Sequence, residues 1–221
     1  MIFITAECSL NPKLCIMNKD LKKHWQNVYL TKQPHEVGWT QVVPTTSLAF
    51  INSFNLDKNA RIIDIGGGDS KLVDHLLDQG YTNITVLDIS GESLRKAQER
   101  LGERAQLVKW IEADIREFRP DNKYDLWHDR AAFHFLISED EIKAYLDIVR
   151  RSVSGYIVVG TFSQNGPLKC SGLPIRQYSD DQLTQQFHNG FCKIKCITED
   201  HITPFLTRQN YVFCSFRKCA A

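Results

Sequence analysis

From residue 60 onward, short apolar runs alternate with segments whose apolar positions recur at helical spacing. The apolar runs are Arg61–Ile65, Asn83–Asp88, Ala105–Glu112, Tyr124–His128 and Gly155–Phe162, and the helical segments are Ser70–Gln79, Glu92–Leu101 and Glu139–Arg151. Each run is predicted to be a buried strand because it is continuous and apolar. Strands that alternate with helices are typical of an α/β fold, a parallel sheet with helices on both faces.

The two ends of the chain follow other patterns. Residues 18–55 are predicted to be mostly helical, with a break at Pro34 and Gly38. Near the C-terminus a helix is predicted over 180–188, followed by two strands over 193–200 and 209–217, which are expected to pair antiparallel at one sheet edge. We expect a single domain over residues 17–219. Met17 is a plausible alternative start, so residues 1–16 are expected to be a mobile extension.

Composition narrows the possible functions. The 221 residues are 43% apolar, and 27 Lys and Arg balance 26 Asp and Glu, which provides no electrostatic reason to expect nucleic acid or an anionic membrane as a partner. No apolar run is long enough to span a membrane. The seven cysteines are scattered and are predicted to be reduced thiols, so a cytoplasmic location is expected. Cys192 and Cys196 are expected to pack with Ile194 on one strand face rather than to bind a metal.

A glycine turn and a row of acids mark the ends of successive predicted strands. The run Asp64-Ile65-Gly66-Gly67-Gly68-Asp69 closes the first strand, Asp88 closes the second, Asp114 follows the third and Asp125 begins the fourth. Ligands of such sheets bind at the carboxyl ends of the strands. Asp88 is placed to accept both ribose hydroxyls of an adenosine, and Asp114 is placed to accept from the adenine amino group.

The turn does not suit a dinucleotide. A G-x-G-x-x-G pattern beginning at Gly66 needs a glycine at position 71, where the chain has Lys71. Asp64 and Asp69 flank the turn and would repel a pyrophosphate. They suit a ligand that carries an ammonium group and a sulfonium cation.

These segments resemble the motifs of the class I S-adenosylmethionine (AdoMet)-dependent methyltransferases over about residues 20–217. The matching segments are Asp64–Asp69, Val86–Ser90, Glu112–Ile115 and Tyr124–Arg130. The resemblance implies a Rossmann-like seven-stranded sheet of order 3-2-1-4-5-7-6 with strand 7 antiparallel. It also implies AdoMet as the cofactor and S-adenosylhomocysteine as its product. The cofactor-binding residues predicted in this way are Trp39, Asp64, Gly66, Gly67, Gly68, Asp88, Ile89, Asp114 and Ile115.

An aromatic segment precedes the glycine turn. Trp25, Tyr29 and Trp39 are similar to a Trp…Tyr…Trp stretch that covers the AdoMet pocket in small-molecule methyltransferases and in a group of lysine methyltransferases. An aromatic face attracts a sulfonium cation. Packing of this helix on the sheet is an alternative interpretation, and Trp39 is the better candidate for cofactor contact.

Candidate residues for the acceptor side follow strands four and five. His128, Asp129 and His134 are predicted catalytic residues because a base is needed when the acceptor holds its proton. The alternative is that His128 caps the strand and Asp129 pairs with Arg130. Arg130, together with Arg176 and Tyr178 of the long 161–178 loop, is predicted to bind substrate; Cys170 lies in the same loop.

Three functions remain open at this stage. The first is an enzyme that methylates a small molecule, and the second is a protein lysine methyltransferase. The third is a non-catalytic AdoMet-binding regulatory protein. The chain lacks the Asn/Asp-Pro-Pro-Tyr signature of methyltransferases that act on nucleic acids and glutamine. A closed pocket favours the first function, whereas an exposed acidic rim favours the second.

Overall fold

The structure is a computed structural model that describes residues 12–219, with the side chains of residues 20–219. Its regular elements alternate between strand and helix in the middle of the chain. They are α1 (Pro12–Thr31), α2 (Thr45–Ser53), β1 (Ile62–Ile65), α3 (Leu72–Asp78), β2 (Ile84–Asp88), α4 (Gly91–Leu101), β3 (Val108–Glu112), β4 (Tyr124–Arg130), α5 (Glu139–Ser152), β5 (Val153–Phe162), β6 (Lys169–Cys170), β7 (Leu173–Pro174), α6 (Asp180–Phe187), β8 (Phe191–Ile202) and β9 (Arg208–Lys218). Short 3-10 turns cover Pro34–Glu36, Gly102–Leu107, Ile115–Glu117 and Phe133–Phe135.

Seven strands form one mixed sheet in the order β3-β2-β1-β4-β5-β9-β8. The first five strands are parallel, and β9 runs antiparallel to β5 and to β8. The predicted order and the predicted antiparallel seventh strand are confirmed, since β8 and β9 are the sixth and seventh strands of this sheet. The order reverses between β1 and β4, and this is where such sheets open a crevice for a ligand.

Apolar side chains cover both faces of the sheet. One buried cluster joins Trp127 of β4 to Tyr145 of α5 and Phe187 of α6. The other joins Leu126 of β4 to α2, α3 and α4. Neighbouring residues of one strand point to opposite faces, so β4 supplies a side chain to each cluster. All four residues of β1 and all five of β2 are buried, as expected for central parallel strands.

Serine side chains start three of the helices on the sheet. Ser90, Ser138 and Ser179 each accept a backbone N–H from the first turn of α4, α5 and α6, respectively. At α5 and α6 the residue three positions later completes a capping box. These caps hold the helix N-termini beside the strand ends that precede them, where the candidate site lies.

Two boundaries differ from the sequence-based expectation. Helix α1 begins at residue 12 and so includes residues 12–16, which the sequence placed in an N-terminal extension; residues 1–11 lie outside the described part of the chain. The 161–178 loop also contains a two-stranded ribbon, β6–β7. Among the residues that the structure describes, no helix is both long enough and apolar enough to cross a membrane.

The expectation of reduced cysteines is wrong for four of them. Cys192 is bonded to Cys219, and Cys196 is bonded to Cys214. The reason lies in the antiparallel register, which sets Cys196 directly opposite Cys214. Position 194 is half exposed on this edge strand, and a bulge between residues 193 and 195 breaks the expected common face.

Candidate active site

A cavity of about 240 Å³ opens at the carboxyl ends of β1, β2, β3 and β4. It brings together most of the residues that the sequence singled out. Those in its wall are Trp39, Asp64, Gly66, Gly67, Asp88, Ile89, Asp114, Ile115, His128 and Arg130. Four strand ends and the segment after α1 thus meet at one site, as the parallel topology requires.

The glycine turn after β1 is packed too tightly for side chains. A Cβ atom on Gly67 would lie 2.6 Å from Asp64 Oδ2, and one on Gly66 would lie 2.7 Å from the side chain of Ala132. Gly66 and Gly68 also have left-handed backbone angles, φ 62° and 47°. Gly68 does not line the cavity, and its predicted contact with the cofactor stays a prediction. A Cβ atom on Gly68 would lie 2.8 Å from Tyr29 Oη and 3.0 Å from Asp88 Oδ2.

Asp88 at the end of β2 is a buried carboxylate facing the cavity. Its Oδ1 accepts the backbone N–H of Ser90 at 2.8 Å. Burial raises its pKa to about 7, although hydrogen bonds from Ser90 and Ser93 act in the other direction. The nearby carboxylates of Asp69 and Asp64 add to the rise. A carboxylate held in this way has unused acceptor capacity for hydroxyl groups.

Asp64, His128 and Ser47 form a buried chain across the base of the cavity. His128 Nδ1 lies 2.7 Å from Asp64 Oδ1, and its Nε2 lies 2.8 Å from Ser47 Oγ. Both ring nitrogens are therefore engaged by protein groups. The register explains the contact, since Asp64 of β1 is paired with His128 of β4. His128 fixes the carboxylate that lies against the glycine turn.

Asp114 lines the part of the cavity beside β3, but its carboxylate already has a partner. It caps the 3-10 turn by accepting Arg116 N–H, and it accepts Arg116 Nε at 2.9 Å and Nη2 at 2.6 Å. Glu141 also forms an ion pair with Arg116. The predicted contact between the Asp114 carboxylate and an adenine amino group therefore has to share that carboxylate with Arg116. Ile115 supplies an apolar wall at the same place.

Aromatic rings close the cavity on the side of α1. Trp25 lies edge-on to Trp39 at 5.7 Å and to Phe135 at 5.1 Å, and Tyr29 lies 6.3 Å from Trp39. Trp25, Tyr29, Trp39 and Phe135 all line the cavity. The two interpretations of this segment are therefore compatible, because rings that pack on one another also present a face to the site.

Polar contacts hold α1 above the site. Gln26 Oε1 accepts Ser90 Oγ–H at 2.9 Å and Glu92 N–H at 3.2 Å, and Lys22 pairs with Glu112. These contacts join the first helix to the ends of β2 and β3. Their sequence separation of more than sixty residues left no local signal from which they could be predicted.

Two predicted catalytic residues lie outside the cavity wall. Asp129 is completely buried on the opposite face of β4, where it accepts Tyr145 O–H and the backbone N–H groups of Ala132 and Phe133. His134 is also completely buried, and burial together with the Arg130 charge lowers its pKa to about 3. We therefore assign Asp129 a positioning role, since it holds the turn that carries Phe135 into the site.

The expected substrate contacts of Arg176 and Tyr178 in the 161–178 loop stay predictions, although both side chains have partners outside the cavity. Arg176 forms an ion pair with Glu139 at 2.6 Å and lies over the Tyr178 ring. Tyr178 is 1% exposed and packs on Phe133. Neither residue lines the cavity. The loop reaches the site through Cys170 instead, which is buried in the cavity wall.

Several wall residues were not found from the sequence. They are Leu21, Thr40, Gln41, Ser47, Arg116, Phe135 and Leu136. Most belong to α1, α2 and the connection between them, or to the turn after β4. Only tertiary packing brings these segments over the strand ends.

Four features of the site agree with AdoMet. The glycine turn leaves space that any Cβ would fill, and Asp88 provides an acceptor for a ribose diol. The carboxylates of Asp64, Asp69 and Asp88 give this end of the cavity a negative character that suits a cationic ligand. The aromatic rings provide faces for a sulfonium group. Asp88, Gly66 and Gly67 are the residues that would hold the nucleoside and the methionine part.

Comparisons with known proteins agree with this site. Residues 62–154 match the family model described as a methyltransferase domain. Malonyl-[acyl-carrier protein] O-methyltransferase 2 of Ilyobacter polytropus is 28% identical over 105 residues, which are 47% of this chain and 40% of that protein. The eEF1A lysine and N-terminal methyltransferase of Mus musculus is 27% identical over 82 residues, 37% of this chain. The alignments thus span less than half the length of these relatives, 12% in the second case.

Solved structures share the fold over nearly the whole chain. One of them is described for the conversion of a disulfide bond into a thioacetal group during echinomycin biosynthesis. It has a TM-score of 0.71 and 18% identity, and the match covers 89% of this chain and 92% of that chain. The 1,6-didemethyltoxoflavin-N1-methyltransferase of Burkholderia thailandensis, solved with S-adenosylhomocysteine, has a TM-score of 0.67, 16% identity and coverage of 95% and 90%.

The methyltransferase-domain match falls on β1 to the start of β5, the strands whose ends build the cavity. AdoMet is the cofactor that this family uses. Residues 62–154 of this chain are therefore similar to a methyltransferase domain.

Proposed function

We propose that the protein is an AdoMet-dependent methyltransferase whose acceptor is a small molecule. The observation that carries the proposal is the buried Asp88 carboxylate facing a cavity whose floor is a glycine turn. An acceptor for hydroxyl groups at this strand end is what a ribose requires. Trp39 and Trp25 close the same cavity from above.

The residues of the chain act mainly by placement. When bound, AdoMet supplies a methyl group on a positively charged sulfur, which keeps the electron pair of the broken bond after transfer. Asp88 holds the ribose, and the Asp64–His128–Ser47 chain fixes the carboxylate beside Gly67. Alignment of two reactants in a closed site accounts for much of the rate of such a displacement.

The aromatic roof excludes water from the reacting groups. Trp25 contacts both Trp39 and Phe135 in the cavity wall, and Gln26 joins the helix of Trp25 to Ser90. Water exclusion protects a reactive methyl donor and strengthens electrostatic interactions inside the site. Both ring nitrogens of His128 already have protein partners, so His128 acts as a positioning residue. The acceptor is therefore one that does not depend on His128 to remove its proton.

The shape of the site favours a small acceptor over a lysine on a protein. The cavity of about 240 Å³ lies beneath α1 rather than on an open acidic surface. A lysine methyltransferase remains the second candidate because of the eEF1A lysine and N-terminal methyltransferase match. The acidic residues in this cavity wall face the cofactor end, not an exposed rim.

Two measurements test the proposal. Calorimetry is expected to show binding of AdoMet and of S-adenosylhomocysteine but not of NAD; binding of NAD alone would refute it. Radiolabelled AdoMet is then incubated with source-cell lysate and the protein, and the lysate is separated into macromolecular and small-molecule fractions. Label in the small-molecule fraction is expected. Label confined to protein would favour the lysine methyltransferase, and tight binding without any transfer would favour a regulatory protein.

A further inference from the structure

Arg130 at the end of β4 is a cation without a carboxylate partner in the wall of the cavity. Its Nη1 donates to the backbone oxygen of Trp39 at 2.9 Å, and its guanidinium carbon lies 4.9 Å from the centre of the Tyr211 ring. Its Nε and Nη2 are buried and have no hydrogen-bond partner within the described chain. These two nitrogens form the side edge of the guanidinium, which binds a carboxylate through two parallel N–H···O bonds.

The titratable groups around Arg130 do not neutralise it. Burial raises the pKa values of Cys170 and Tyr211 to about 12, although the Arg130 charge acts to lower both. Burial, followed by the same charge, lowers the pKa values of His134 and His201. All four groups are therefore neutral near pH 7, and Arg130 is the charged group of this cluster.

One acidic residue, Glu199 of β8, acts electrostatically on His201 and Tyr211 but forms no ion pair with Arg130. Its carboxylate accepts the hydroxyl hydrogen of Thr46. Within residues 20–219, Arg130 forms no ion pair. A buried, unpaired guanidinium edge is costly unless a ligand supplies the missing acceptor.

A second cavity of about 420 Å³ shares part of its wall with the first. Trp39 and Cys170 line both cavities. The wall of the second contains His24, Lys32 and Lys169, with Glu36 as its single acidic residue among those described. Positive charges in the wall of a cavity attract an anion toward it.

The carboxylates and Arg130 lie at different places in the site. Asp64, Asp69 and Asp88 lie at the glycine-turn end, together with Lys71 and Arg100. Arg130 lies beside Trp39 and Cys170. We propose that the methyl acceptor carries a carboxylate, which the Nε–Nη2 edge of Arg130 binds after the acceptor enters between Trp39 and Cys170. This inference rests on the proposed function and names the class of its substrate.

The test measures ligand binding and needs no turnover. The full chain is saturated with S-adenosylhomocysteine and titrated with benzoate, phenylacetate and hexanoate, each beside its primary amide, while tryptophan fluorescence reports from Trp25 and Trp39. At least one carboxylate is expected to bind at least about tenfold more tightly than its amide, because a bidentate charged contact is lost in the amide. The absence of this preference across all three pairs would overturn the proposal.

Variants assign the preference to Arg130. Arg130→Gln is expected to abolish the preference for the carboxylate over the amide. Arg130→Lys keeps the charge but cannot form two parallel hydrogen bonds, so it is expected to retain only part of the preference. Arg104→Gln is the matched control, since Arg104 is paired with Asp78 and lines neither cavity. Circular dichroism checks each fold; if Arg130→Gln does not fold, Arg130→Lys decides the question, and wild-type affinity in that variant would refute the bidentate contact.

Calorimetry with S-adenosylhomocysteine separates this inference from the proposed function. All Arg130 variants are expected to keep the wild-type affinity for it. A loss that matches the loss of carboxylate binding would assign Arg130 to the cofactor's own carboxylate and overturn the inference while leaving the methyltransferase intact. Failure of the wild-type protein to bind S-adenosylhomocysteine would instead refute the proposed function.

Discussion

Asp88 offers the sharpest test of the cofactor site because its replacement is expected to change stability and binding in opposite directions. Burial raises its pKa from 3.8 to about 7 in the ligand-free protein. The folded state thus holds the proton more tightly than the unfolded chain does. The contribution of this protonated group to the free energy of unfolding is fully present below about pH 4 and is lost as the pH rises through about 7. A shift of about three units corresponds to roughly 4 kcal/mol.

Asp88→Asn removes this cost because an amide has no charge to bury. We expect the ligand-free variant to be more stable than the wild type at pH 8, by roughly 1–4 kcal/mol, and to lose this advantage at pH 4. Urea denaturation at the two pH values measures the difference. Asp57→Asn serves as the control, since Asp57 is exposed and lies outside the cavity.

Binding is expected to change in the other direction. An ionised carboxylate can accept a hydrogen bond from each of two ribose hydroxyls. The asparagine side chain has one acceptor oxygen, and its NH₂ group cannot accept a hydrogen bond from the second hydroxyl. The loss of one charged hydrogen bond and of the charge costs about 2–4 kcal/mol, or roughly 30- to 1000-fold in affinity for S-adenosylhomocysteine. In the wild type, affinity is expected to fall about tenfold from pH 8 to pH 6 as Asp88 takes up a proton. Calorimetry that finds equal affinities in Asp88→Asn and the wild type, with no pH dependence, would refute the ribose assignment.

Three further changes test the local structure. Ala131 has a left-handed backbone at φ 66°, so Ala131→Val is expected to destabilise the fold by about 1–2 kcal/mol in urea, whereas Ala131→Gly is expected to be neutral or stabilising; equal effects would argue against strain. Gly67→Ala places a methyl group 2.6 Å from Asp64 Oδ2 and is expected to weaken S-adenosylhomocysteine binding by at least about tenfold, as calorimetry would measure. Reduction of the Cys196–Cys214 bond, which closes 18 residues, is expected to cost about 3 kcal/mol and to lower the melting temperature; an unchanged melting temperature after thiol titration confirms reduction would contradict that value.

The distribution of charge within the site links its two proposed ligands. The carboxylates that raise the pKa of Asp88 are the groups that a cationic cofactor would neutralise. Arg130, in contrast, acts on four titratable side chains that are neutral near pH 7, and Lys32 and Lys169 line the second cavity. A cationic cofactor would then interact with the carboxylates at one end of the cavity, and an anionic acceptor would interact with Arg130.

The architecture and the cofactor end of the site could be predicted from the sequence because their signals are local. Apolar runs and helical spacing determine the strands and helices, and a parallel sheet necessarily gathers the residues at its strand ends. For this reason Asp64, Gly66, Gly67, Asp88 and Ile115 could be placed at one rim from their positions alone. The strand order was implied by the resemblance to the methyltransferases, and it is confirmed.

The acceptor end was decided only by the tertiary structure. His128 and Arg130 share one face of β4, while Asp129 between them points to the other face. Which of the two faces meets the cavity depends on the helices that cover each side of the sheet. The engagement of Arg176 by Glu139 and the pairing of Cys196 with Cys214 likewise depend on contacts between segments far apart in the chain. A local pattern shows which residues can do chemistry, but only packing determines which of them keep a free atom facing the cavity.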